Sequence, residues 1–193
     1  MNIKKFIPVE KDLILLGGGH AHLSVIKKLG MYPIDGLRVT LVTNNLYTPY
    51  SGMLPGFIEG VYKKTDLNID LLKLTNFSNA RFIWARAINI NAKNNYIKLY
   101  NRPNLYFDYL SINIGITSKI KNIKGAKRFS VPVKPIYDLV ENIEKRISLS
   151  KNNKIVIVGA GAAGFELSLA IRKRLLSKNE NPEILLISKY SRV

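Results

Sequence analysis

The residues best placed to do chemistry in this sequence are glycines. Gly159-Ala160-Gly161-Ala162-Ala163-Gly164 follows an apolar run at 154–158 and precedes a helical pattern over 162–176. Each glycine answers a separate need: Gly159 permits a tight turn, Gly161 lets the backbone approach a pyrophosphate, and Gly164 lets helix and strand pack closely. Free N–H groups at the helix start then face the phosphates. A strand at 183–188 completes a βαβ unit, and a dinucleotide is the ligand that such a unit takes. The alternative is a Gly/Ala-rich packing turn without a ligand.

A second pattern stands near the N-terminus. Gly17-Gly18-Gly19-His20-Ala21-His22 lies between the apolar run 13–16 and a helical stretch 21–29 that buries Leu23 and Ile26, with Leu29 at its margin. Strand 38–43, entered after Pro33, Asp35 and Gly36, ends this unit at Thr43 and Asn44. The first two glycines are present, but His22 stands where the third belongs. An imidazole at that close contact either forces helix and strand apart or points sideways to a partner. Metal ligation or acid–base work by His20 and His22 weighs less than a structural or ligand-lining role, and no metal is expected. Two dinucleotide sites in one chain imply an enzyme that passes a hydride or electrons between nucleotides.

The elements that position these turns follow from patterning. Residues 44–62, rich in Gly, Pro and Tyr, read as an ordered loop lying across a ligand. A helix is expected at 67–74, and strands at 81–90, 96–100 and 106–114, the first two pairing through an Asn-rich turn at 91–95. An amphipathic helix over 136–148 presents Leu139, Val140, Ile143 and Ile147 on one face. The fold class is therefore α/β with two Rossmann-like dinucleotide-binding domains: residues 1–150 as the first, with its linking helix, and 151–193 as the start of the second. Two strands cannot cover both faces of an open α/β sheet, so the second domain is expected to be truncated.

Composition narrows the setting. The 193 residues are 47% hydrophobic and 22% charged, as in a globular protein, and contain no cysteine. That excludes a disulfide framework, a CxxC redox pair and Cys-ligated metal within these residues, and fits a cytoplasmic protein. The net charge of +17 comes from lysines scattered along a chain rich in Asn and Ile, with no basic stripe interleaved with aromatics, so no nucleic-acid partner is expected. No signal peptide and no bilayer-spanning run are expected, so any membrane contact would be peripheral, at the inner face.

Four segments carry a family resemblance: the 17–22 turn, Tyr47-Thr48-Pro49-Tyr50-Ser51-Gly52-Met53-Leu54-Pro55-Gly56, Phe107-Asp108-Tyr109-Leu110-Ser111-Ile112-Asn113-Ile114-Gly115, and Pro132-Val133-Lys134-Pro135. In order and over essentially the whole chain, they resemble the pyridine nucleotide-disulfide oxidoreductase superfamily. Within it they are most similar to type II NADH dehydrogenase-like flavoproteins, especially the branch found fused to selenide, water dikinase. The resemblance implies FAD in the first domain and NAD(P)H in the second. Carried over by position, Gly17, Gly19, Thr43 and Asn44 would hold the ADP part of FAD, with Gly18, His20, Ala21 and His22 counted among the cofactor-binding residues of that turn. Tyr50, Ser51, Gly52, Met53, Leu54 and Pro55 approach the isoalloxazine, and Gly115 ends the second FAD-side strand.

That strand ends in Asn113-Ile114-Gly115 where the family usually has an Ala-Thr-Gly-like turn. Gly159, Gly161 and Gly164 hold the nicotinamide coenzyme, Glu166 matches an acidic position near the nicotinamide, and Lys134 is a candidate contact to flavin or its phosphates. Glu166 and Lys134 are the candidate catalytic groups, with no residue assigned for certain; a solvated helix glutamate and a rigid Lys-Pro connection are their structural alternatives. The family's later Gly-Asp segment, which completes the flavin site, is missing from these residues.

The expected reaction is hydride transfer from NAD(P)H to FAD, followed by electron transfer to a small-molecule acceptor, a quinone by analogy. A non-catalytic nucleotide-binding module and a redox partner of selenophosphate synthesis are the alternatives. Ile187 is followed by Ser188 and Lys189 rather than an acid, so NADPH is expected to be tolerated. Without cysteine, electrons are expected to leave the flavin with no thiol relay. The oligomeric state stays open.

Overall fold

A computed structural model describes residues 7–118, 120, 123–148, 154–178 and 180–189. The chain divides into unit 1, Met1–Thr48 with Ile69–Gly115, and unit 2, Pro49–Asn68 with Ile116–Val193. Tyr47–Pro49 (β3) and Asn68–Asp70 (β4) are the short strands at which the chain leaves unit 1 and returns.

Unit 1 is built on a parallel sheet of order β5-β2-β1-β9: Arg81–Trp84, Leu37–Thr43, Lys11–Leu16 and Tyr109–Ile112. β1 is central, pairing Leu16 with Val42 on one side and with Ile112 on the other. Because side chains alternate along a strand, β1 serves two cores. Ile14 and Leu16, with Val42, pack against Ile97 and Leu99; Leu15, with Leu41, packs against Leu23, Ile26 and Leu71. The second core belongs to α1 (His20–Met31) and α4 (Leu71–Phe77), the first to an antiparallel sheet of β6 (Ala87–Asn91), β7 (Tyr96–Leu99) and β8 (Leu105–Tyr106).

In unit 2 one core gathers α2 (Leu54–Glu59), α3 (Lys64–Leu67), α6 (Ile136–Ser148) and α7 (Ala162–Leu176), with a short helix α5 at Ala126–Phe129. Parallel strands β10 (Lys154–Val158) and β11 (Glu183–Ile187) turn Ile155, Ile157 and Ile184 toward that core. Their alternate residues Val156, Val158, Leu185 and Ile187 are exposed.

Several elements lie where the patterning puts them: α6, β10, α7, and the hairpin at 91–95. There the Asn94 N–H donates to the Asn91 carboxamide oxygen at 2.9 Å, and Asn95 takes the left-handed φ of 52°. Ile147 of the predicted apolar face has no described side chain.

Four expectations need correction. Residues 44–62 form regular elements rather than an ordered loop: Pro55 sits in the first turn of α2, Gly60 ends it with φ 97°, and Leu54, Phe57 and Ile58 are buried in the unit 2 core. The helix expected at 67–74 starts only at Leu71, because the Asp70 carboxylate caps it by accepting from the Lys73 N–H at 2.9 Å, leaving Asn68–Asp70 extended. The strand expected at 81–90 splits into β5 and β6, since β2 ends at Thr43 opposite Trp84 and gives no partner beyond it. The strand expected at 106–114 divides at Asp108, whose N–H donates to the Asp12 carbonyl at 3.0 Å and whose carboxylate accepts from the Asp12 N–H at 2.8 Å.

Candidate functional site

The two glycine turns are built alike. Gly17 follows β1 with φ 95° and Gly159 follows β10 with φ 111°, a region closed to most side chains. The Gly17 N–H donates to the Val42 carbonyl at 2.8 Å, and the Gly159 N–H to the Ile187 carbonyl at 2.8 Å, so each turn is tied to the neighbouring parallel strand. Gly19 and Gly161 occupy the N-cap positions of α1 and α7 in extended conformations, with φ −70° and −74°. Neither helix carries an acid in its first turn, so the positive end of each dipole is left for an anion.

The glycine requirements can be tested by adding a Cβ. At Gly164 it would lie 1.8 Å from the Gly159 carbonyl oxygen, so this third glycine is demanded by the close approach of helix to turn. At Gly161 it would meet nothing within 4 Å among the described residues, which leaves that face clear for a ligand. At Gly17 it would run into the Asn113 backbone at 2.4 Å. Gly17 and Gly164 thus answer to the packing of the turns themselves, while the open face at Gly161 suits a pyrophosphate, so the residues of the second turn fit that group.

His22 takes the sideways course. It is buried, 2% exposed, with Nδ1 2.7 Å from the Gly17 carbonyl oxygen and Nε2 2.9 Å from Ser111 Oγ on β9. A carbonyl can only accept, so Nδ1 carries a proton and donates; in the neutral ring Nε2 then accepts from the Ser111 hydroxyl. Where α7 closes on its turn through a missing side chain, α1 is joined to its turn and to β9 through an imidazole.

The remaining candidates are placed as follows. Ala21 is exposed and His20 half-buried in the first turn of α1. Thr43 is buried and its hydroxyl accepts from the Asn45 N–H at 3.2 Å, so Asn44 is the exposed residue at the end of β2. In unit 2, Tyr50 and Gly52 are exposed, Ser51, Met53 and Pro55 half-buried, and Leu54 is core. Gly115 is exposed with φ 76°. Lys134 is half-buried, its N–H donating to Ser118 Oγ at 3.3 Å, and Glu166 is an exposed residue of α7. Asn113, absent from the sequence-derived site, turns out to stand against Gly19; the signal was its departure from the small residue expected there.

Charge is organised at the other end of β1. Arg38 holds Asp12 through paired hydrogen bonds of 2.6 and 2.8 Å, and Lys11 Nζ lies 3.0 Å from Asp108. The Asp12 N–H and then the Lys11 ammonium hold the Asp108 carboxyl below the ordinary carboxylate value, and the Asp108 carboxylate raises Lys11 in turn. These exposed pairs tie β1 to β2 and to Asp108 and lie away from the glycine turn.

A family model described as pyridine nucleotide-disulphide oxidoreductase matches residues 11–192. The chain belongs to that family. It is 25% identical over 169 residues to the NADH dehydrogenase-like protein YutJ of Bacillus subtilis, covering 84% of this chain and 45% of that protein. It is 28% identical over 180 residues to an NADH oxidase of Methanocaldococcus jannaschii, covering 83% of this chain and 38% of that protein. Among solved structures, the sulfide:quinone oxidoreductase of Aquifex aeolicus superposes with a TM-score of 0.74 at 20% identity, over 91% of this chain and 42% of that one. The chain thus spans less than half the length of these relatives. Among the described residues no helix is long and apolar enough to cross a membrane.

Proposed function

We propose that this chain is the nucleotide-binding part of a FAD-dependent NAD(P)H oxidoreductase, with FAD on the 17–22 turn and NAD(P)H on the 159–164 turn. The observation that carries the reading is the duplicated turn: two glycine cradles of one geometry in a chain of this family. When bound, the flavin would accept a hydride from the reduced nicotinamide and pass electrons to a second acceptor. A quinone is the acceptor we favour, on the likeness to type II NADH dehydrogenase-like flavoproteins and to the Aquifex aeolicus enzyme.

The contribution of the chain's own residues is positioning more than proton transfer. Gly17, Gly18 and Gly19 admit the pyrophosphate of FAD, and the α1 N-terminus faces its charge. Gly159 and Gly161 do the same for the coenzyme, and Gly164 seats α7. Glu166 and Lys134 remain the candidate polar groups toward nicotinamide and flavin. These 193 residues supply no thiol, so no relay through a cysteine of this chain enters the scheme.

The test is anaerobic addition of NADH to purified chain loaded with FAD, followed by flavin absorbance. Bleaching is expected. Gly19→Val should lose the flavin while the chain stays folded, because the atoms nearest an added Cβ all belong to the Asn113 side chain, which must swing to another χ1 rotamer. Gly161→Val, entering open space, should keep the flavin and lose the bleaching. Flavin that binds but is never bleached would reduce the chain to a nucleotide-binding module; Gly19→Val protein retaining flavin at full occupancy would show the first turn to be misassigned.

A further inference from the structure

We propose that Asn113 is a ligand residue of the first turn, its carboxamide donating a hydrogen bond to a pyrophosphate oxygen of the bound dinucleotide; this rests on the reading of the 17–22 turn as a dinucleotide site. Asn113 stands at the end of β9, where its N–H donates to the Leu16 carbonyl at 2.8 Å and its carbonyl accepts from the Gly19 N–H at 3.1 Å. Its backbone is therefore held on both sides by the turn itself. The side chain extends over Gly19: an added Cβ would lie 2.1 Å from Oδ1, 2.3 Å from Cγ and 2.7 Å from Nδ2. The glycine's missing side chain is thus the space the carboxamide uses.

Three further observations point the carboxamide toward a ligand. It makes no hydrogen bond to any described residue, although it is half-buried and carries two donors and an acceptor. The Gly19 N–H is already bonded to the Asn113 carbonyl, so that donor is engaged, and the carboxamide beside it carries two N–H donors of its own. In the second turn the same face, over Gly161, holds nothing within 4 Å among the described residues. The carboxamide is neutral, so it adds donors at the phosphate without burying a counter-charge.

The experiment is calorimetric titration of the full chain with FAD, with ADP, and with adenosine as the phosphate-free control. Asn113→Ala should weaken FAD and ADP by at least about tenfold, the lower end of the worth of one hydrogen bond to a charged group. Asn113→Asp, an isosteric change that keeps the fold, sets an anion against the pyrophosphate and should weaken both about 100-fold at low salt, with partial recovery as salt rises. Adenosine should bind all three proteins alike. Wild-type affinity for FAD and ADP in both variants would overturn the inference and leave the turn assignment standing. Equal weakening of adenosine would also overturn it, since the residue would then act on the fold. Wild-type chain that binds neither FAD nor ADP would overturn the turn assignment and the inference together.

Discussion

Replacing His22 by alanine isolates the device that stands in for a glycine. Its ring is 2% exposed and bridges the Gly17 carbonyl at 2.7 Å and Ser111 Oγ at 2.9 Å. Truncation leaves the buried carbonyl without that partner, a loss of about 1–3 kcal/mol, and the half-buried hydroxyl loses a bond worth about 1 kcal/mol. The void left by the ring adds to this in proportion to how little α1 and β9 can close over it. A total of about 3 kcal/mol follows, and with a urea slope of about 1.5 kcal/mol/M the unfolding midpoint of unit 1 falls by about 2 M. The sequence has one tryptophan, Trp84 on β5, so tryptophan fluorescence reports on unit 1 alone. His22→Asn keeps a donor within reach of Gly17 and should recover about half of the loss. A midpoint for His22→Ala indistinguishable from wild type would refute the argument that the imidazole joins helix, turn and strand.

Gly164→Ala and Gly161→Ala should part company. The first drives a methyl into the Gly159 carbonyl at 1.8 Å and loosens α7, seen as faster hydrogen exchange along that helix, whereas the second finds open space, spares exchange and weakens coenzyme binding; identical exchange in the two variants would count against the packing argument. Asp108 has a folded value held below its ordinary 3.8, so its contribution is present above 3.8 and is lost as pH falls through the lower folded value. Asp108→Asn should therefore show a shallower loss of unit 1 stability on acidification, by Trp84 fluorescence, and an unchanged acid limb would remove Asp108 from that account. With Ser188 and Lys189 after β11 in place of an acid, titration should give NADPH an affinity within about tenfold of NADH, and clear rejection of NADPH beside tight NADH binding would contradict it.

The second glycine turn was readable because each of its residues meets a local demand: Gly159 a positive φ, Gly164 a contact five residues away. Helix α6 was readable because its apolar residues recur at helical spacing and have one face to fill. The breaks within 81–90 and 106–114 were not, because apolar spacing continues unchanged through them. They are set by the length of β2 and by the grip of Asp108 on the Asp12 backbone, both distant in sequence. Helix α2 was hidden by its composition: Pro55 and Gly60 read as loop residues, though one opens the helix and the other ends it. Asn113 could be noticed only as a departure, since its meaning lies in the face of Gly19 that it covers.

The exposed face of β10 and β11 and the net charge of +17 act against each other in solution. Val156, Val158, Leu185 and Ile187 form an apolar strip on which two chains can stick, and what opposes that is mutual repulsion between cations spread along the whole chain. Repulsion reaches only a Debye length, about 10 Å at 0.1 M salt and about 3 Å at 1 M, while hydrophobic contact is not screened. A preparation of these residues should accordingly stay dispersed in dilute buffer and associate in concentrated salt, the reverse of a protein whose self-association is electrostatic.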